Sequence, residues 1–373
     1  MGKSAGSRKS EIAAVIFYVA FIMEVLIMCV NRAGIAIPFC GRLLQFAALL
    51  FGIKILMTRY SLKEWIIIGV LGIAGFLIYF SARNTLIIEI VLMIAASKDM
   101  MKEKVLKCHF GIVFTAIILM IILSLTGVIG NLTLTRDYRR IGLETRYCFG
   151  YSHPNVFYSS LFTVMTVGIL VFFARMRGIH YIILTGINIV FYFLADSRTG
   201  FLVVQLTIVL FYCLHRFPRI MEHAVVFWCG MVGLVGLIIA SYSTLYLPYR
   251  IIGFMDQLLT GRIELAREWN YYNQWSLLPN NQTPEIVLDM GYINVAANWG
   301  VLLGVIYFCA ILCCYYKLYK VKNWPYVAAL LVYSIFSFAE SHAFSIYFVG
   351  NIMFLLMLGW GTYESDKPEK QNT

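Results

Sequence analysis

The sequence predicts an all-α integral membrane protein, a polytopic bundle of about twelve transmembrane helices with a large late extracytoplasmic loop. Of its 373 residues, 61% are hydrophobic and only 13% are charged. A soluble domain of this length cannot bury that much apolar surface. The apolar residues form long continuous runs, whereas the strands of a membrane barrel would alternate apolar and polar residues. Together these observations favour membrane helices.

Twelve apolar runs are candidate spans, because a helix needs about 20 mostly apolar residues to cross a bilayer. The fourth and eleventh runs are short for this purpose. No cleavable signal peptide is expected, since Glu24 lies in the first run and no small-residue cleavage site follows it. The whole chain, residues 1–373, is predicted to be a single membrane domain. The runs cover residues 11–30, 38–57, 65–80, 85–97, 109–130, 155–174, 178–195, 200–215, 223–243, 291–315, 325–339 and 344–360.

The distribution of lysine predicts the orientation. Cytoplasmic loops of membrane proteins carry an excess of Lys and Arg, and with the basic N-terminal segment inside, all 13 lysines lie on the cytoplasmic side. We therefore predict a multi-pass protein of the cytoplasmic membrane with both termini cytoplasmic and a cytoplasmic tail at 361–373. Two long loops, 131–154 and 244–290, are predicted to lie outside.

The predicted outer side lacks lysine but keeps ten arginines. The planar guanidinium of arginine binds carboxylate or phosphate through two parallel hydrogen bonds. Some of these arginines are expected to be solvated or paired with nearby Asp and Glu, and the others indicate an anionic ligand outside the membrane. The ten are Arg32, Arg83, Arg136, Arg139, Arg140, Arg146, Arg198, Arg250, Arg262 and Arg267.

His153 stands at the predicted entry to the sixth span. Pro154 restricts it to extended conformations and is favoured in the first turn of a helix. His153 is therefore either a functional group or simply part of a helix-entry turn. Its polar neighbours are Tyr151, Asn155, Arg139, Arg140 and Arg146.

Three further segments of the predicted outer side carry ionisable groups. The turn DSRTG holds Asp196 and Arg198, which either bind a ligand or form a local ion pair that caps the next helix. The segment TGRIELARE holds Arg262 at helical spacing from acidic residues, so a solvated amphipathic helix is an alternative there. The hairpin ESH holds Glu340 and His342, which are both suited to proton transfer.

Aromatic residues cluster in the second outer loop, at Trp269, Tyr271, Tyr272 and Trp275. They are expected to anchor the loop at the membrane interface or to stack against sugars. Within the spans, Glu24 and Arg42 are predicted to form an ion pair, because unpaired charges in a membrane are costly.

Several motifs are missing from the predicted outer loops. They contain no DxD or HExxH sequence for a divalent metal, no Walker-type glycine loop and no GxSxG elbow. We therefore expect metal-independent chemistry, with no metal site, no cofactor and no nucleic-acid partner.

Five motifs in order along the chain resemble the Wzy-type polysaccharide polymerases of the O-antigen ligase and polymerase superfamily. They are R-x-x-F-G-Y-S-H-P-N at 146–155, D-S-R-T-G at 196–200, L-T-G-R at 259–262, D-M-G-Y-I at 289–293 and E-S-H at 340–342. The resemblance covers about residues 130–345. The first four spans resemble the family only in hydropathy.

The resemblance implies a membrane glycosyltransferase that joins polyprenyl-pyrophosphate-linked oligosaccharide repeat units into a surface polysaccharide, on the outer face of the cytoplasmic membrane. It implies His153 or Glu340 as the general base, with His342 third. A chain-length regulator and a flippase are the implied protein partners. The leading pyrophosphate ligands are Arg146, Arg198 and Arg262, and further candidates for binding pyrophosphate or glycan are Arg139, Arg140, Tyr151, Asn155, Asp196 and Trp269.

Two alternative functions stay open. The ligase branch of the superfamily carries a histidine in the late large loop, and residues 244–290 contain none, which favours a polymerase. A lipid-linked oligosaccharide flippase or another transporter is expected to carry ionisable groups along an interior path and to have two related halves. In this sequence the charges gather on one face instead, and no internal repeat is convincing.

Overall fold

The structure is a computed structural model that describes residues 5–138, 142–279, 286 and 288–360. Two strands and 3-10 turns at Phe173–Arg175 and Pro218–Glu222 accompany its helices. The strands are β1 (Thr133–Tyr138) and β2 (Gly142–Tyr147). The α-helices are α1 (Ala5–Arg32), α2 (Cys40–Met57), α3 (Leu62–Ala82), α4 (Leu86–Ala96), α5 (Lys102–Leu125), α6 (Pro154–Phe172), α7 (Gly178–Ala195), α8 (Arg198–Arg216), α9 (Ala224–Ser243), α10 (Tyr249–Leu258), α11 (Arg262–Tyr272), α12 (Gly291–Trp299), α13 (Val301–Lys320), α14 (Trp324–Ala339) and α15 (Ile352–Trp360).

Nine helices of the described chain are long and apolar enough to cross a membrane, namely α1, α2, α3, α5, α6, α7, α8, α9 and α13. A helix closes all its backbone hydrogen bonds within itself, so these segments can lie in hydrocarbon without unsatisfied polar groups. The predicted class, a helical membrane protein, is confirmed. Helices α4 and α14 are apolar but shorter, with 11 and 16 residues.

Two of the predicted spans are interrupted. The run 291–315 breaks at Gly300, whose φ of +87° separates α12 from α13. A Cβ atom at this glycine would lie 2.6 Å from the carbonyl oxygen of Leu277, so a larger residue does not fit. The run 344–360 is helical only from Ile352 to Trp360. A count of twelve spans therefore stays a prediction.

The first predicted outer loop contains a β-hairpin that the sequence analysis did not predict. β1 and β2 pair antiparallel with Thr133 opposite Tyr147, and the hydroxyl oxygens of Thr135 and Thr145 lie 2.7 Å apart across the strands. It is the one sheet within the described residues. Arg139 and Arg140, which follow β1 in the sequence, lie outside the part of the chain that the structure describes.

The chain divides into two compact units. The first comprises Met1–Phe76, Thr85–Val171 and Met353–Thr373, and the second comprises Leu77–Asn84 and Phe172–Ile352. In the first unit, α1 packs against α2 and α5, and α2 packs against α4. In the second unit, α14 packs against α8, α9, α12 and α13. Helix α14 therefore forms the centre of the second unit.

The ion pair predicted between the described residues Glu24 and Arg42 is not formed. Glu24 is buried on α1, whereas Arg42 is exposed in the first turn of α2 and its guanidinium carbon lies 5.4 Å from the ring centre of Phe39. The prediction was wrong because Arg42 faces outward from the helix pair. Water can solvate an arginine that is exposed at the end of a helix, so the charge of Arg42 does not need Glu24 as a partner.

Candidate functional site

Three of the five motifs meet at Arg262 in the second unit. Its Nη2 donates to Oε1 of Glu340 at 2.5 Å, and its Nη1 donates to the carbonyl oxygen of Ala339 at 2.6 Å. Its Nε lies 3.6 Å from Oδ2 of Asp289. The side chain is only 3% exposed. We call Arg262, Asp289, Glu340 and His342 the Arg262 cluster.

His342 completes the cluster. Its Nε2 lies 4.0 Å from Oε2 of Glu340, which is beyond hydrogen-bond distance. The imidazole ring stacks on Phe348, with centroids 4.6 Å apart and planes 19° apart. Glu340 thus lies between Arg262, which holds one carboxylate oxygen, and His342, which faces the other.

Asp256 fixes the position of Arg262 on α11. Its Oδ1 accepts hydrogen bonds from the backbone N–H groups of Ile263, at 2.9 Å, and Glu264, at 3.2 Å. Gly261, with a φ of +85°, turns the chain just before the helix begins. A buried carboxylate at a helix N-terminus satisfies free N–H groups and interacts well with the helix dipole. Sequence analysis missed Asp256, because its partners lie seven and eight residues further along the chain.

Gly291 brings two of the motifs together. A Cβ atom at this position would lie 2.5 Å from the carbonyl oxygen of Glu340 and 2.6 Å from that of Ser337. Only glycine therefore lets the start of α12 approach the end of α14 so closely. This approach places Asp289 beside Arg262. Asp289 lies in the D-M-G-Y-I motif but was not among the predicted site residues.

Asn351 supports the irregular backbone that follows Glu340. Its Nδ2 lies 2.8 Å from the carbonyl oxygens of His342, Ala343 and Ser345, and Tyr333 donates a hydroxyl hydrogen bond to the carbonyl of His342 at 2.7 Å. Asn351 is fully buried. Buried backbone carbonyls need hydrogen-bond donors, and the Asn351 amide provides donors to this segment.

Trp269 lies in the apolar core that surrounds α11 rather than on a surface. It is 4% exposed and packs edge-on against Trp275, with centroids 5.1 Å apart. A sugar could stack on Trp269 only if this core opened. Of the four clustered aromatic residues, Tyr271 and Tyr272 are the exposed ones. The core consists of Leu245, Ile252, Ile263, Ala266, Trp269, Leu288, Met290, Ile293 and Ala297.

Asp196 and Arg198 form a looser pair in the second unit. Asp196 ends α7 with a φ of +44°, and Arg198 begins α8. Nε of Arg198 lies 4.0 Å from Oδ1 of Asp196, and half of the arginine side chain, 50%, is exposed. Among the three leading arginines, Arg198 therefore has the most accessible guanidinium.

His153 caps α6 in the first unit. Its Nδ1 accepts a hydrogen bond from the backbone N–H of Asn155 at 3.1 Å. Its carbonyl oxygen accepts from the N–H groups of Val156, at 3.0 Å, and Phe157, at 3.1 Å. The interpretation of His153 as part of a helix-entry turn thus explains the hydrogen bond to Nδ1 of its ring. A catalytic role for His153 stays a prediction.

Arg32 approaches the same end of α6, which sequence analysis did not predict. Its guanidinium donates to the hydroxyl oxygens of Ser159 and Ser160. Tyr151 is buried nearby, and burial raises the pKa of its phenol well above the usual value. The sequence feature that indicates this contact is the pair of adjacent serines, Ser159 and Ser160, in an otherwise apolar helix.

Arg146 is buried on β2 in the first unit. Its Nε and Nη2 both contact Oε2 of Glu144, at 3.0 Å and 2.7 Å. The guanidinium is therefore engaged with a carboxylate two residues earlier. Binding of pyrophosphate to Arg146 stays a prediction, and it would require this pair to open.

Comparison of the chain with known protein families, curated proteins and solved structures found no match. The resemblance therefore rests on the motifs of this chain. Among the described residues, no three or more His, Cys, Asp and Glu side chains are placed to hold a metal ion.

Proposed function

We propose that this protein is a glycosyltransferase of the cytoplasmic membrane that polymerises polyprenyl-pyrophosphate-linked oligosaccharide repeat units on the outer face. The supporting observation is the Arg262 cluster, because it brings three separate motifs of the resemblance to one point. There a buried arginine holds one oxygen of Glu340, and the other oxygen faces His342. The substrate class comes from the resemblance.

The proposed reaction is a transfer of the growing glycan. A hydroxyl oxygen of the incoming unit attacks the anomeric carbon of the lipid-linked chain and forms a glycosidic bond. The bond between that carbon and the pyrophosphate oxygen breaks, and its electron pair leaves with the polyprenyl pyrophosphate. The hydroxyl proton passes to a general base.

We assign the role of base to His342. Glu340 already accepts a hydrogen bond from Arg262, so it is better suited to orient the imidazole and to stabilise it once protonated. Arg262 is then a positioning residue that acts through Glu340. This assignment changes the order suggested by the resemblance, which placed His153 and Glu340 first.

Arg198 is the proposed ligand of the leaving pyrophosphate. The leaving group carries negative charge, and an arginine can bind two phosphate oxygens at once. Arg198 is half exposed, whereas Arg262 and Arg146 contact carboxylates at hydrogen-bond distance. A lysine at position 198 would keep the charge but lose the two-point contact.

Complementation of cells that lack the chain tests the proposal. Cells carrying His342→Ala or Glu340→Gln should lose long polymer and accumulate single lipid-linked units. Arg198→Lys should lower the rate about tenfold to hundredfold, because a charge-assisted contact contributes about 1.5–3 kcal/mol. Arg83→Lys, at an exposed arginine on a short loop, is the matched control. Normal polymer from both His342→Ala and Glu340→Gln would contradict the proposal.

The sidedness of the accumulated units separates a polymerase from a flippase. When a polymerase is inactive, the units still reach the outer face, where an impermeant sugar-oxidising reagent modifies them in intact cells. When a flippase is inactive, the units stay inside and the reagent reaches them only after lysis. Units protected in intact cells would favour the transporter alternative.

A further inference from the structure

A half-open groove with aromatic walls lies beside the C-terminal end of α9 in the second unit. Its volume is about 360 Å³. Tyr242 packs against Trp275 and Phe308, with ring centroids 6.0 Å and 6.1 Å apart. We call this feature the aromatic groove. It is lined by Tyr242, Tyr246, Trp275, Val301, Val305 and Phe308.

Two of the residues that line the groove are exposed. Val305 is 52% exposed on α13, one of the helices long enough to span a membrane. Tyr246 is exposed just beyond the end of α9. Apolar surface of this kind on a spanning helix is covered by hydrocarbon. A hydrocarbon chain can therefore enter the groove directly from the bilayer.

Arg267 lies near Tyr246, one of the residues that line the groove. Its Nη1 donates to the carbonyl oxygens of Leu247, at 2.5 Å, and Thr244, at 3.2 Å, and these two residues flank Tyr246. Both acceptors are neutral. Within the described residues, the structure gives the Arg267 guanidinium no carboxylate partner. Its charge is thus available to an anion beside the groove.

We propose that the aromatic groove binds one chain of an anionic phospholipid of the surrounding bilayer, with the lipid phosphate on Arg267. An apolar groove near an arginine that has no carboxylate partner among the described residues matches the charge and polarity of such a lipid. This site does not depend on the glycosyltransferase reaction. The competing role for Arg267 is to cap the C-terminal carbonyls of α9, which arginines stabilise through the helix dipole.

Thermal unfolding of the purified full-length protein in detergent tests the site. Phosphatidylglycerol should raise the unfolding midpoint at about tenfold lower concentration than phosphatidylcholine with the same chains, because only the former adds a net negative charge. Arg267→Gln should remove this difference. Arg250→Gln, at an exposed arginine of the same loop, should keep it. Val305→Trp should fill the groove and weaken the response to both lipids.

Five results would overturn the proposal. Equal responses to the two phospholipids would show no anion selectivity, and equal protection by glycerophosphate would exclude the groove. Stronger protection by polyprenyl phosphate would identify the substrate lipid as the occupant. An Arg267→Gln variant with a lower midpoint but an unchanged preference for phosphatidylglycerol would show that Arg267 only caps α9.

If Arg267→Gln does not fold, an unaltered lipid response in Val305→Trp would itself contradict the site. None of these measurements uses polymer formation, so a result against the lipid site would not bear on the proposed glycosyltransferase activity.

Discussion

Nη2 of Arg262 lies 2.5 Å from Oε1 of Glu340, although the two residues are 78 positions apart in the sequence and the arginine is almost completely buried. Two charges removed from water compensate each other only when they stay in contact. The position of the Glu340 side chain, just after the end of α14, therefore depends on Arg262 at the start of α11. Arg262 therefore has a role in positioning Glu340.

The first prediction concerns this pair. Arg262→Met should lower the free energy of unfolding by about 3–5 kcal/mol, because it leaves the mostly covered carboxylate of Glu340, 12% exposed, without its cation. Glu340→Gln should cost less, since the amide oxygen can still accept a hydrogen bond. Chemical unfolding of the two single variants and the double variant measures the coupling, which we expect to exceed about 1 kcal/mol. Strictly additive effects would mean that the two side chains do not stabilise each other.

The second prediction concerns Gly291. Gly291→Ala should destabilise the protein by about 1–3 kcal/mol, because the new methyl group would overlap the carbonyl oxygens of Glu340 and Ser337. Gly233→Ala is the matched control, since a Cβ atom there meets nothing within 4 Å. Unfolding midpoints of the two variants in the same detergent make the comparison. If both substitutions have the same effect, α12 does not approach α14 as described.

Hydropathy predicts much of this fold because burial of apolar surface in lipid depends mainly on local composition. Most of the long apolar runs are single helices in the structure, and the short runs at 85–97 and 325–339 correspond to the shorter helices α4 and α14. The break at Gly300 could not be predicted in this way. It depends on a close contact with Leu277, which is a tertiary property that hydropathy does not contain.

The sequence predicted the motifs that form the site, but it did not predict which contacts each residue makes. Sequence analysis selected Arg262 and Glu340 separately, as an anion ligand and a base, and the structure pairs them. Whether an arginine is exposed or engaged depends on contacts between distant segments. Asp256 and Asn351 carry no motif, because they act through backbone groups whose partners appear only in the folded chain.

The third prediction concerns orientation. Leu143→Cys on the hairpin and Tyr271→Cys on α11 should react with an impermeant maleimide in intact cells, whereas Arg219→Cys should react only after lysis. All three parent residues are exposed. Native Cys148 should stay unlabelled, because it is buried and burial raises the pKa of its thiol. The parent chain is therefore the control for background labelling.

Labelling of Leu143→Cys or Tyr271→Cys only after lysis would place that segment on the cytoplasmic side. The proposed reaction needs the Arg262 cluster on the outer face, so the result for Tyr271→Cys bears on it most directly. The lysine distribution predicts outer labelling at both positions.

The last prediction separates the two roles of His153. The imidazole Nδ1 accepts the N–H of Asn155 at the start of α6, which is a function that an asparagine side chain performs equally well. His153→Ala should therefore lower the free energy of unfolding by about 1 kcal/mol, and His153→Asn should restore it. If His342 is the base, His153→Asn should also form polymer at nearly the normal rate. A stable His153→Asn protein that forms polymer about a hundredfold more slowly or worse would instead show that the imidazole takes part in proton transfer, and the assignment of the base to His342 would have to be withdrawn.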